Sequence, residues 1–230
     1  MKKALIVLAA VAFIASGDFT DDFESYSPGD LLEDSPNWDR EPAGGYARIT
    51  QQGSNKAAEA LFPDSAFIGY VCEAAGLWAD GSVEMDFSPE GVGSFSNVFS
   101  RMSITNGESY AAGITVVFGS FTYAYMAYVN AAGDYELLYY DLGPTVTPGS
   151  WANVKLHTEG TDPVTLTLFI NGENAAKVFD YTHLLTEGIS GFALFYQEDP
   201  PTILADNFQV ILNQQSLGTT TLGALKALFR

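Results

Sequence analysis

Basic residues, histidine and cysteine are scarce in this 230-residue chain: 10 Lys and Arg stand against 28 Asp and Glu, with 2 His and 1 Cys. The net charge of −18 repels polyphosphate and anionic lipid, which excludes nucleic acid as a partner and peripheral membrane binding through a basic patch. Neutral ligands and cations are left. A single cysteine, Cys72, forms no intrachain disulfide, so stability must come from a core, hydrogen bonds or a metal. Within Tyr70-Val71-Cys72-Glu73 the thiol reads as a buried strand residue, and neither His157 nor His183 stands in a motif that would recruit a nucleophile. Walker-type loops, G-x-G-x-x-G and Cys/His zinc spacings are also missing.

Long apolar runs are missing as well. The longest, Ala4 to Ala15, has 12 residues, well short of the 20 or so that cross a bilayer. It follows Lys2-Lys3 and precedes Ala15-Ser16-Gly17, the layout of a secretory signal peptide over residues 1–17, with cleavage after Gly17. The expected mature chain starts at Asp18, carries 28 acidic against 8 basic residues, is secreted to the extracellular space or cell surface, and inserts no segment into a membrane.

What the sequence does contain is 47% hydrophobic and 13% aromatic residues, arranged in short β-branched and aromatic runs between Gly, Pro, Asn and Asp clusters. Twelve such runs, from Tyr46–Gln51 to Ile203–Leu212, predict an all-β, two-sheet antiparallel sandwich over residues 18–212. Asn106-Gly107, Gly133-Asp134, Pro148-Gly149 and Asn171-Gly172 supply the turns. Residues 30–45, rich in Pro and Gly, read as a loop across the end of the sandwich. Residues 213–230 change character: a polar linker leads to Leu222, Leu225 and Phe229 at helical spacing, a short amphipathic tail that is either frayed or docks on a second copy in self-association.

Asp21-Asp22-Phe23-Glu24-Ser25-Tyr26 with Pro28-Gly29-Asp30 and Trp38 resembles the opening of secreted concanavalin A-like sandwiches, the superfamily of laminin-G-like domains, legume-type lectins and jelly-roll carbohydrate-binding modules. Trp151-x-x-Val154-Lys155-Leu156, then Asn171-Gly172, Gly188-x-x-Gly191-Phe192 and Ala205-Asp206-Asn207-Phe208, is similar to their late strands. The resemblance implies a jelly roll with first and last strands side by side, and a non-catalytic module that binds a glycan or cell-surface polymer. By the same resemblance, a structural Ca²⁺ is expected on Glu24 and Asp206, with Asp22 a further candidate, because calcium takes hard oxygens that adjoining carboxylates provide. An assembly subunit of an extracellular fibre or envelope layer, and a glycoside hydrolase, are the alternatives.

The hydrolase alternative rests on the resemblance of Glu84-x-Asp86, two acids on one strand face, to the Glu-x-Asp-x-(x)-Glu strand of glucanases in that superfamily; the third acid departs from it, since Glu90 sits one residue too far along and behind the strand-ending Pro89. Sugar binding points to aromatic rings. Phe121, Tyr123 and Tyr125 alternate along one strand and Tyr135, Leu137 and Tyr139 along the next, so one sheet face presents either a wet platform or the core between the sheets. In the second case Tyr128, Tyr140 and Trp78 become the exposed rings, with Arg101 and Gln197 as polar partners. Trp151, heading its strand, is expected to plug the sandwich edge.

Overall fold

The computed structural model describes residues 18–40, 44–63, 67–72, 74–91, 93–117, 121–144, 146–196 and 202–213; the expected leader, the tail from residue 214 and Gln197 lie outside them. Fifteen strands form two antiparallel sheets. One holds β1 (Phe19–Asp21), β3 (Tyr46–Gln52), β4 (Asn55–Leu61), β6 (Gly81–Pro89), β11 (Ala152–Glu159), β12 (Val164–Ile170), β13 (Glu173–Asp180) and β15 (Ile203–Leu212). The other holds β2 (Trp38–Arg40), β5 (Phe67–Cys72), β7 (Ser94–Met102), β8 (Ser109–Val117), β9 (Phe121–Val129), β10 (Tyr135–Leu142) and β14 (Ile189–Tyr196). The orders are β13-β12-β11-β6-β15-β4-β3, with β1 on β15, and β10-β9-β8-β7-β14-β5-β2. This is the two-sheet antiparallel sandwich that the spacing of runs and turns predicts, with the jelly-roll layout that the resemblance implies.

Strand alternation explains the layers. In β11, Ala152, Val154, Leu156 and Thr158 are buried, and the residues between them are not. Trp151, on the outward parity, is 43% exposed and does not plug the edge. The chain ends meet as expected: Phe19 pairs with Val210 and Asp21 with Phe208. β4 and β1 share one edge of β15, β4 beside Leu204 and Ala205 and β1 beside Phe208 to Val210.

The stretch read as a loop contains more than a loop. It forms a 3₁₀ turn at Leu32–Asp34 and the short strand β2, which carries Trp38 into the core. There the indole meets Phe208 at 4.8 Å, Phe192 at 5.4 Å and Phe23 at 6.2 Å between ring centres. Its Nε1–H donates to Asp21 Oδ2 at 2.9 Å, and the same oxygen accepts from Tyr26 Oη at 2.6 Å. Asp21 Oδ1 accepts from the Phe23 backbone N–H at 3.0 Å. A buried carboxylate with three donors is well satisfied, and removing it orphans an indole N–H in an apolar cluster. Asp21→Ala is therefore expected to lower the unfolding free energy by about 3 kcal/mol in urea titrations, whereas a loss under about 0.5 kcal/mol would contradict this anchoring.

Candidate functional site

Which face of each strand is outward follows from its contacts. In β7, Val98 belongs to the main core and Ser100 Oγ meets Thr158 Oγ1 of β11 at 2.8 Å across the sandwich, so Phe95, Asn97 and Phe99 point away from it. By the same parity β9 turns Tyr123 and Tyr125 outward, while Ala124, Met126 and Tyr128 are core residues. The outward residues of β5, β7, β9, β10 and β14 form an aromatic groove of about 480 Å³ on the seven-stranded sheet, walled by Phe67, Phe95, Tyr125, Tyr135, Tyr140 and Phe195.

Its rings are ordered by cross-strand pairing. Phe95 and Phe195 are register partners and stack at 4.3 Å with planes 10° apart. Tyr123 and Tyr140 stack at 4.7 Å and 5°. Tyr125 stands edge-on to both Phe95 and Tyr135, at 6.4 and 6.5 Å. Beneath them Asn97, fully buried, donates through Nδ2 to Tyr125 Oη at 2.9 Å and to Tyr135 Oη at 3.4 Å. Asn97 fits because its neighbour is Gly113: a Cβ there would stand 2.6 Å from Asn97 Cβ. Burial raises the Tyr125 hydroxyl well above its ordinary pKa and that of Tyr135 to about 12, so both remain neutral hydroxyls. Tyr135 as a whole residue is 37% exposed, so part of its ring faces the groove opening.

A bulge in β10 between Leu137 and Tyr139 rearranges the expected ring set. The extra residue shifts the alternation, so Tyr135, Leu137 and Tyr140 face outward while Tyr139 packs against the core. Neither of the two exclusive assignments made from alternation holds along the whole strand. Tyr128 is an inward residue stacked on His183 at 3.7 Å. Trp78 and Arg101 are removed from the ligand set. Trp78 is 3% exposed with Nε1–H on Ser190 Oγ at 2.7 Å. Arg101 is fully buried and donates to Ala79 O, Leu185 O and Asp80 Oδ1, tying two loops together. Both residues border loops, where sequence alone reads exposure. Phe67, Phe95, Asn97 and Phe195 were missed because the stack is built by pairing β7 with β14, about a hundred residues apart.

The acidic candidates occupy the opposite surface. Glu84 and Asp86 lie on the outward parity of β6 in the eight-stranded sheet. Glu84 pairs with Lys155 at 3.2 Å, and Asp86 accepts from Asn153 Nδ2 and Asn207 Nδ2, each at 2.9 Å. Neither lines the groove, and Glu90 is exposed beyond the sheet ladder.

Asp206 pairs with Asp86 across β15 and β6, just before a bulge in which Asn207 takes a left-handed backbone, φ 54°. Its carboxylate is 2% exposed, accepting from Asn55 Nδ2 at 2.6 Å and Asn207 N at 2.7 Å. Burial, reinforced by the charges of Asp86 and Glu24, raises its pKa to about 6 despite those bonds. Glu24 is thus brought near Asp206, with its Oε1 on Lys56 N at 2.7 Å, whereas Asp22 is exposed and caps Glu24 N. Among the described residues no three His, Cys, Asp or Glu converge on one point.

Solved structures share this architecture. A native glycosidic hydrolase superposes with a TM-score of 0.61 at 11% identity, over 88% of this chain and 99% of that one. The carbohydrate-binding module CBM66 from Bacillus subtilis gives 0.53 at 13%, over 75% and 93%. The Bacillus licheniformis beta-glucanase gives 0.55 at 14%, over 87% and 100%. At these identities the likeness shows the fold alone, a two-sheet antiparallel jelly roll. No family model matches the chain, and no curated protein does.

Within this sandwich, Asp206 makes stability depend on pH. Its folded pKa, about 6, exceeds the ordinary 3.8, so folding binds a proton between these values. With a chelator present, the contribution is full below pH about 4 and falls by about 2–3 kcal/mol as pH rises through 6. Thermal melts should show this decline in the native chain and lose it in Asp206→Asn; an unchanged decline in the variant would contradict the assignment.

Proposed function

We propose that this protein is a secreted, non-catalytic glycan-binding or cell-surface adhesion module that holds a neutral sugar chain in the aromatic groove of the seven-stranded sheet. The observation that carries this reading is the composition of that groove. Stacked rings offer flat apolar faces to sugar C–H groups, and the exposed Tyr140 adds a hydroxyl for hydrogen bonding. No charged side chain lines it among the described residues, which suits an uncharged ligand in a strongly acidic chain.

The same groove argues against hydrolysis. Cleavage of a glycosidic bond needs two carboxyl groups flanking it, about 5–5.5 Å apart for retention or 6.5–9.5 Å for inversion. Glu84 and Asp86 are on the other sheet, engaged by Lys155, Asn153 and Asn207. A structural calcium on Glu24 and Asp206 belongs to the proposal, supported by the adjacent Asn55 and Lys56, which hold the two carboxylates beside each other, and would give stability rather than chemistry. An assembly role is the second reading. Edge strand β10 exposes Leu137 at 56% and Leu142 at 59%, apolar residues on an open sheet edge that suit contact with a second copy.

A glycan array probed with and without calcium tests the primary reading. Binding to neutral oligosaccharides is expected, weakened about tenfold or more by Tyr140→Ala with little change in melting temperature, and unchanged in Glu84→Gln. Absence of all sugar signal in both conditions would overturn it, and release of reducing ends lost in Glu84→Gln would establish the hydrolase instead.

A further inference from the structure

The outward face of the seven-stranded sheet changes character beyond Tyr135. Val71, Phe99, Ala111 and Ile189 form an apolar cluster separate from the core between the sheets, with Met102 and Val129 packed against it. These side chains floor a second cavity of about 660 Å³, within the range of small-molecule sites. Phe99 lies flat there because the residue behind it is Gly191, where a Cβ would meet its ring at 2.5 Å. Phe67, Gly133 and Tyr135 line both cavities, so the two are halves of one groove.

The second half offers fewer ring faces than the first. Apart from Phe99, the two shared rings and Ser109, its floor is made of Met102, aliphatic side chains and glycine backbone, and Ile104, 70% exposed, stands at its mouth. Ser103, Thr105, Asn106 and Asn130 give it a polar rim, and among the described residues Asp39 is the one charged residue lining it. A sheet face also has its backbone N–H and C=O groups spent in the ladder, so an extended peptide laid across it finds no main-chain partners.

We propose that this half takes the alkyl or acyl chain of the ligand, so that the ligand is a neutral amphiphilic glycoside with its sugar on the rings and its aliphatic chain over Val71, Phe99 and Ile189. The inference rests on the glycan reading above and extends it. Continuity through Tyr135 places the junction of sugar and chain at that ring. The chain's strong negative charge favours an uncharged amphiphile over an anionic lipid.

Calorimetric titration with n-alkyl β-D-glucosides and β-D-galactosides, from methyl to octyl and below their critical micelle concentrations, tests it. Affinity is expected to rise up to about fourfold per added methylene until the cavity is filled. Ile104→Asp, a change at an exposed loop position, is expected to weaken octyl glycoside binding by about tenfold and leave the methyl glycoside unchanged. A flat series, with array binding intact, would overturn the aliphatic half alone. A steep series untouched by Ile104→Asp would overturn the assigned cavity. A sugar-free octyl ethoxylate binding as tightly as the octyl glycosides would overturn the amphiphilic glycoside and the glycan reading with it.

Discussion

The buried carboxylate of Asp21 ties the start of the domain to its end. It sits on β1 beside Phe208 of β15, and it receives the indole N–H of Trp38 from a third element, β2, in the other sheet. A Trp in an apolar core needs a partner for its one polar atom, and a buried Asp needs donors for its charge; here each supplies what the other lacks. Around that bond Phe23, Tyr70, Phe192 and Phe208 close on the indole, so both sheets are joined at one point.

The groove depends on this junction through β14. Phe192 faces inward against Trp38, and by strand alternation Phe195, three residues on, faces outward beside Phe95. The same strand that the core holds by Phe192 and Leu194 therefore sets the position of the groove's stacked pair. On the tyrosine side the β10 bulge does the comparable work, turning Tyr140 out onto Tyr123 and Tyr139 in against the core. One face of the molecule is thereby apolar and ring-lined, while the other carries Glu84, Asp86, Lys155 and the asparagines that bind them.

Much of this was legible in the residues. The short β-branched and aromatic runs, the Asn-Gly and Pro-Gly turns and the Phe-Glu opening against the Asp-Asn-Phe closing strand pointed to the sandwich and to the meeting of its ends. β4 escaped notice because Asn55–Leu61 is built of Ala, Glu and Lys, residues that favour helix in isolation; pairing with β3 and β15 overrides that preference. Trp38 was hidden in a Pro- and Gly-rich stretch whose three-residue strand is too short to show a period. The site was harder still. Pairing β7 with β14 is a matter of topology, and a bulge reverses facing without any mark in the composition, so Phe95, Phe195 and Tyr140 could not be grouped from spacing.

The two faces of the sandwich make opposite claims about function, one as a ring-lined binding surface and the other as an acidic surface tied up in internal bonds. Hydrogen–deuterium exchange of the protein with and without its strongest array oligosaccharide separates them in one measurement. The account predicts added protection in β7, β9, β10 and β14 and none in β6, β11 and β12. Protection confined to β6, β11 and β15, around Glu84, Asp86 and Asp206, would contradict it.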